Sequence, residues 1–231
     1  MDRLAIVAAL VTVWVYWAVP AGVPTPSSGS GRRTTGQERD HSDYTLPPRA
    51  ARLLAASFLM GLSSIAVWNF GRDLLANQAG ATTLSSALTW TILGASGILG
   101  ALGGDLARRV GLTASWVALM PAMGAATALF PLAPATDAVV FTAAALFGAS
   151  YIGSTGLVLL WSASLFPDRT SYGVGLSFFV IAAGQALGAP LVGLLIESSG
   201  ATVAFYAWAG LAVLGAALGP SPRPQCIAPD Q

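Results

Sequence analysis

Polar residues interrupt one apolar stretch of the sequence at positions 68–73, which read WNFGRD. Asn69 lies three residues before Arg72 and four before Asp73, so a helix places all three on one face. An amide, a guanidinium and a carboxylate on one face bind a solute through hydrogen bonds and charge. Arg72 would attract an anionic solute or pair with a carboxylate such as Glu197. The alternative is an Arg-Asp pair at the membrane surface, with Trp68 in the aromatic belt.

A second set of polar residues lies deeper in the apolar segments. Tyr151, Ser154 and Thr155 share one helical face, and Gln185 falls near the middle of a later stretch. These uncharged side chains would orient a solute by hydrogen bonding, and transporter sites usually lie near the bilayer midplane. Serine and threonine also join helices to one another, which is the alternative for Ser154 and Thr155. No acidic residue lies at this depth, so the sequence gives little support for proton coupling through these segments.

The sequence gives little support for an enzyme active site or a metal site. The single cysteine, Cys226, lies in the terminal tail, and the single histidine, His41, lies in a polar linker. The run Gly153–Gly156 contains a serine, but no histidine in any apolar stretch serves as its base. We therefore expect no catalytic residue, no metal site and no cofactor. The net charge of +1 gives no indication of a nucleic-acid partner.

Six long apolar stretches must position these residues. They are Leu54–Phe70, Leu84–Leu102, Leu112–Pro131, Ala138–Phe166, Val174–Ile196 and Val203–Leu218. Each approaches the roughly 20 residues of a helical bilayer crossing, and none alternates as a barrel strand does. The whole chain is 55% hydrophobic and 9% charged, with a mean hydropathy of +0.68. The sequence predicts an all-α, polytopic membrane bundle in which sequential helices are antiparallel neighbours.

The remaining residues divide the chain into four parts. A short apolar helix at 1–20 precedes a flexible linker at 21–50, the six-helix block covers 51–220, and a tail follows at 221–231. The apolar run Leu4–Val19 is open to two interpretations, a signal peptide or a membrane span. A span that begins outside is favoured, because it leaves the arginine-rich linker in the cytoplasm.

Arginine placement predicts the orientation of the block. Nine arginines fall in the linker, in alternate connections and in the tail, against Arg72 alone on the other side. Positively charged residues concentrate on the cytoplasmic side of helical membrane proteins. The linker and the carboxyl-terminal tail are therefore expected in the cytoplasm, with the block in a plasma (inner) membrane.

Two glycine-containing segments resemble a known pattern. Residues 104–111 match the cytoplasmic loop pattern G-x-L-A-D-R-x-G-R-R of the major facilitator superfamily at Gly104, Leu106, Ala107, Arg109 and Gly111. Arg108 stands where the pattern has an acid, and Asp105 is placed to pair with Arg109 four residues on. An ordinary arginine-rich loop is the alternative. Asp168 and Arg169, after Phe166-Pro167, resemble a second cytoplasmic hairpin, or simply form a turn with a salt pair.

The other segment is similar to the superfamily's glycine-rich helix G-x-x-x-G-P-x-x-G. Gly184, Gly188, Pro190 and Gly193 carry this likeness, with Ala189 inserted before the proline. Glycines four residues apart let a neighbouring helix approach closely, and proline permits a bend. Helix packing alone also accounts for these residues.

This resemblance implies that the chain is the carboxyl-terminal six-helix half of a major facilitator, preceded by the last helix of the amino-terminal half. It implies transport of a small organic solute by alternating access, which requires two bundles. The second bundle would come from a homodimer or a separately encoded amino-terminal half, with the lipid bilayer as surroundings. An inactive fragment, or a non-transporting scaffold or accessory subunit, is the alternative. Substrate, coupling ion and direction do not follow from the sequence.

Overall fold

The computed structural model describes residues 47, 49–78, 83–135 and 137–221. The chain divides after Tyr44, and all of these residues belong to the unit Thr45–Gln231. The predicted amino-terminal helix at 1–20 lies outside the described residues, as do almost all of the linker at 21–50 and of the tail at 221–231. Their assignments stay predictions.

Six helices long and apolar enough to cross a membrane make up the described part of the chain, which contains no strand. In chain order they are α1 (Ala50–Asn77), α2 (Leu84–Val110), α3 (Leu112–Leu132), α4 (Asp137–Leu165), α5 (Pro167–Ser199) and α6 (Ala201–Leu218). The predicted all-α membrane bundle with six spans is confirmed. Each helix satisfies its own backbone hydrogen bonds, as a segment in lipid must.

The helices extend past the predicted apolar stretches, and the ends expected at Phe70 and Leu102 are wrong. Residues Gly71–Gln78 continue α1, and Gly103–Val110 continue α2. The reversal between α2 and α3 takes place at Gly111, whose φ of 89° and ψ of 156° suit only glycine. Hydropathy marks where a helix leaves the apolar core of a bilayer, whereas the backbone remains helical into the polar layer.

The contacts between the six helices form two matching sets. α2 lies along α4, and α5 lies along α1, and these are the two most extensive helix contacts. α3 packs on α4 as α6 packs on α1, and α3 and α6 also contact each other. The first three helices therefore repeat the arrangement of the last three. Two three-helix units of this kind are the expected composition of a transporter half.

Glycines allow the closest of these contacts. A Cβ atom on Gly61 of α1 would overlap the backbone of Ile181 in α5, and one on Gly184 would overlap the backbone of Phe58. Gly188, one turn further along α5, lies against Leu62. Gly148 of α4 meets the backbone of α2 in the same manner. Small residues at helix contacts bring backbones together in membranes, where dispersion contacts drive association.

Both ends of the bundle are defined by the antiparallel order. α1, α3 and α5 begin where α2, α4 and α6 end, as the hydrogen bond from Thr113 to the carbonyl of Pro220 illustrates (2.8 Å). We call this the arginine end, because five described arginines lie there: Arg49, Arg52, Arg108, Arg109 and Arg169. The opposite end carries Arg72 and the acidic residues Asp73, Asp137 and Glu197.

Candidate functional site

A hydrogen-bonded bridge joins three helices at the middle of the bundle. The side-chain nitrogen of Gln185 in α5 donates to the hydroxyl of Tyr151 in α4 (3.3 Å) and lies 3.4 Å from the hydroxyl of Ser64 in α1. Ser64 in turn donates to the carbonyl of Gly61 (2.9 Å). Tyr151 is the central residue of α4. The bridge therefore holds uncharged polar groups at the depth where a transporter binds its solute.

Four aromatic rings continue from this bridge toward the opposite end. Trp68 of α1 stacks on Trp90 of α2, with ring centroids 6.1 Å apart, and meets the edges of Phe147 and Tyr151 at 5.9 and 5.4 Å. Phe147 and Tyr151, one turn apart on α4, stack on each other at 5.9 Å. Such spacings are the favourable ones for aromatic pairs. The side chain of Trp68 remains 36% exposed, so this surface is open to a ligand.

A local change in α1 positions Trp68. Residues Ala66–Phe70 form a single π-helical turn between two α-helical segments. The extra residue in such a turn rotates the following side chains relative to a regular helix, and π-turns recur at functional sites. Across the cluster, the ring nitrogen of Trp90 is buried and has no hydrogen-bond partner among the described residues.

The charged residues predicted for the path lie apart from the bridge. Asn69, Arg72 and Asp73 are all exposed on α1: Asn69 directly follows Trp68, and Arg72 and Asp73 lie about one turn beyond it, toward the opposite end of the bundle. Among the described residues, no ion pair joins Arg72 to Asp73 or to Glu197. The side chains of Arg72 and Asp73 therefore stay exposed at this end of the bundle.

Ser154 and Thr155 contribute little to the bridge. Thr155 donates to the carbonyl of Tyr151 within its own helix (2.9 Å). Ser154 is fully buried, and its hydroxyl finds no partner in the described part of the chain. Of the predicted path residues, the structure thus brings Trp68, Tyr151 and Gln185 together and leaves the others outside this cluster.

Residues 3–219 match the family model described as "Uncharacterised MFS-type transporter YbfB". The chain belongs to the major facilitator superfamily. It is also similar to the "Transcription regulatory protein OpdE" of Pseudomonas aeruginosa, with 25% identity over 195 residues. The match covers 84% of this chain and 48% of that protein, so the chain spans about half the length of the curated relative. The six helices accordingly form half of a major facilitator fold.

The residues that resemble the superfamily's cytoplasmic loops all lie at the arginine end. Gly104, Asp105, Arg108 and Arg109 occupy the last turns of α2, directly before Gly111. The expected pair between Asp105 and Arg109 does not form. Asp105 instead forms a salt bridge with Arg108, which lies three residues further along the same helical face. This pair is exposed and contributes about 0.3–0.5 kcal/mol to stability.

The second resembling segment, Asp168 and Arg169, belongs to a single 3₁₀ turn at the start of α5, directly after the reversal from α4. Both residues are exposed at the same end of the bundle as the α2–α3 reversal. In the superfamily-like glycine helix, Gly184 and Gly188 face α1, whereas a Cβ atom on Gly193 would make only an ordinary contact with Phe70 at 3.7 Å. Pro190 lies within α5, which is helical without interruption from Thr170 to Ser199.

Sequence reasoning missed three members of the site: Ser64, Trp90 and Phe147. In the sequence, Phe147 and Trp90 are indistinguishable from other apolar residues of a membrane span, and Ser64 is indistinguishable from a serine that only packs against a neighbouring helix. One signal was present, since Phe147 precedes Tyr151 by four residues and must share its helical face. The convergence of four helices on one cluster needs the tertiary structure.

Proposed function

We propose that the chain is the carboxyl-terminal half of a secondary transporter that carries a small organic solute. The solute binds on the exposed ring of Trp68, beside the bridge of Gln185, Tyr151 and Ser64. One observation carries this assignment: an uncharged polar bridge and an open aromatic surface meet at the middle of the bundle, on α1, α2, α4 and α5. Membership of the superfamily supplies the expected mechanism, in which two bundles rock about a central site.

Alternating access requires a second bundle, and we propose that it covers the face formed by α2 and α5. α5 is the least buried of the six helices. Large apolar side chains such as Ile98, Phe179 and Leu187 are more than half exposed on these two helices. The site borders this face, because Gln185 lies on α5 and Trp90, which stacks on the half-open Trp68 of α1, lies on α2. A second copy of the chain or a separately encoded amino-terminal half would close the site.

The arginine distribution supports an orientation in which the arginine end faces the cytoplasm of a cell with an inner membrane. The Asp105–Arg108 pair and the Asp168–Arg169 turn then lie at the cytoplasmic surface, where their exposure suits contacts that form and break as the bundles rock. Arg72 and Asp73 lie at the external mouth of the path.

A non-transporting regulatory role is the second candidate, because the curated relative is described as a transcription regulatory protein. In that case the bundle would bind a solute or a partner and transmit the binding without moving the solute. The matched family and the site at the middle of the bundle favour transport.

The purified full chain, reconstituted into vesicles, tests the proposal. Small organic solutes are first screened for those that raise its melting temperature, and the uptake of each such solute is then measured. The wild-type chain, with its second bundle, accumulates the solute, whereas Gln185→Ala binds it more weakly and takes up less. Thr202→Val, an exposed change on α6, which contributes neither to the site nor to the covered face, is the matched control. Binding without uptake in every vesicle preparation contradicts transport and favours the regulatory role.

A further inference from the structure

A cavity of about 960 Å³ lies at the arginine end, away from the bridge of Gln185. Arg49 and Arg52 form its polar side, and Val110, Val117 and Trp161 belong to its apolar side. Its volume falls within the range of pockets that hold small ligands, about 300–1,000 Å³. Because the chemistry of its two sides differs so sharply, the cavity suits an amphipathic ligand.

Arg52 is held in place before any ligand arrives. Its guanidinium donates to the carbonyls of Ala217 (3.0 Å) and Leu218 (3.3 Å) and to the hydroxyl of Ser221 (2.9 Å). These bonds use three of the five N–H donors of an arginine, and two remain for an anion. Because its side chain is already fixed in position, Arg52 would lose little conformational freedom on binding an anion.

The apolar side is equally well defined and reaches the outer surface of the bundle. Trp161 is 5% exposed and packs edge-to-face on Trp116, with ring centroids 6.2 Å apart. Trp116 is itself fixed by a hydrogen bond to the carbonyl of Gly215 (3.0 Å). Val110 and Val117 are each about half exposed, so the apolar wall continues from the cavity onto the outer surface of the bundle.

Charge at this end favours an anion. Among the described residues, the arginine end has five arginines against Asp105 and Asp168, and neither aspartate lines the cavity. Arginine binds phosphate oxygens strongly because its planar N–H groups match them in pairs. Basic pockets between membrane helices at the cytoplasmic surface bind anionic lipid headgroups.

We propose that this cavity binds one anionic phospholipid, with the headgroup phosphate between Arg49 and Arg52 and the upper acyl chain against the apolar wall. Free phosphate offers the same anionic chemistry but leaves the wall of Val110, Val117 and Trp161 uncovered. The site is separate from the solute path and does not depend on transport activity. A lipid there would join the start of α1 to the end of α6.

Native mass spectrometry of the purified full chain tests this assignment. Phosphatidylglycerol and phosphatidylcholine with identical acyl chains are titrated separately. One phosphatidylglycerol binds in preference to phosphatidylcholine, and Arg49→Gln weakens its binding about fivefold, the effect of one arginine near an anionic headgroup. Arg109→Gln, which removes the same charge at the same end but outside the cavity, is the matched control and leaves the affinity unchanged. Arg49→Lys, which keeps the charge, retains most of the binding and guards against an effect of misfolding.

Three results would overturn the proposal. Equal affinity for the two lipids excludes a site that recognises the headgroup. If Arg49→Gln and Arg109→Gln weaken phosphatidylglycerol binding equally, the preference comes from the overall positive charge of this end and not from the cavity. If millimolar inorganic phosphate displaces phosphatidylglycerol, the anion comes from solution and the lipid assignment is wrong. Each readout is independent of solute uptake.

Discussion

The contact between α1 and α5 depends on the missing side chain of Gly184. An ideal Cβ atom at this position lies 2.9 Å from the backbone nitrogen of Leu62 and 3.2 Å from the carbonyl carbon of Phe58, and it overlaps the Phe58 carbonyl oxygen. These are backbone atoms, which cannot rotate away as the end of a side chain can. Gly184→Ala therefore forces the two helices apart by roughly 0.5–1 Å, which weakens the dispersion contacts along them.

The expected loss of stability follows from two opposing effects. Overpacking against a rigid neighbour costs up to about 3 kcal/mol. Alanine is a better helix former than glycine by about 1 kcal/mol, which offsets part of this cost. The net decrease in the free energy of unfolding is then about 2 kcal/mol. For a protein of this size it lowers the melting temperature by about 4–8 °C.

Thermal unfolding of the detergent-solubilised chain, followed by tryptophan fluorescence, measures this shift. Gly193→Ala is the matched control, because it lies on the same helix and its Cβ atom would make only a 3.7 Å contact with Phe70. We expect this control to melt at the wild-type temperature or above it. If Gly184→Ala and Gly193→Ala melt together, α1 and α5 do not approach as closely as described.

Three further substitutions have definite expected results. Trp68→Leu removes the open aromatic surface and weakens the binding of any stabilising solute at least tenfold, as equilibrium dialysis would measure; Tyr206→Leu, an exposed aromatic change on α6, leaves it unchanged. Gly111→Ala lowers the free energy of unfolding by about 1–3 kcal/mol, because its φ of 89° strains any side chain, whereas Gly104→Ala, with no atom within 4 Å of its Cβ, does not. Arg52→Gln removes bonds to the end of α6 and speeds hydrogen exchange there. An unchanged solute affinity, melting temperature or exchange rate, respectively, would contradict each expectation.

The bundle itself could be predicted from the sequence, because lipid permits so few solutions. Continuous apolar stretches such as Leu112–Pro131 must be helices, and the observed α3, Leu112–Leu132, agrees with this one to a single residue. The ends of α1 and α2 were harder to predict, since Gly71–Gln78 and Gly103–Val110 are polar yet helical. Hydropathy carries no information about a helix beyond the bilayer core.

The site could be predicted only in part. The depth of Tyr151 and Gln185 in the membrane could be predicted, because it follows from their positions within apolar stretches of the sequence. Their hydrogen bond depends on how α4 and α5 cross, which the sequence does not specify. The π-helical turn at Ala66–Phe70, which directs Trp68 toward Trp90, has no sequence signature of its own. The charge of Arg72 made it a predicted path residue, but Arg72 lies outside the bridge.

The accessibility of position 185 from both sides of the membrane tests the proposed transport most directly. Cys226 is the single cysteine, so a Cys226→Ser background with Gln185→Cys carries one thiol at the middle of the bundle. A membrane-impermeant maleimide is added to right-side-out and to inside-out vesicles that contain the chain. Alternating access predicts labelling in both preparations, because the central site opens to each side in turn. Labelling in only one preparation, or in neither, would contradict a transporter that carries its solute past Gln185.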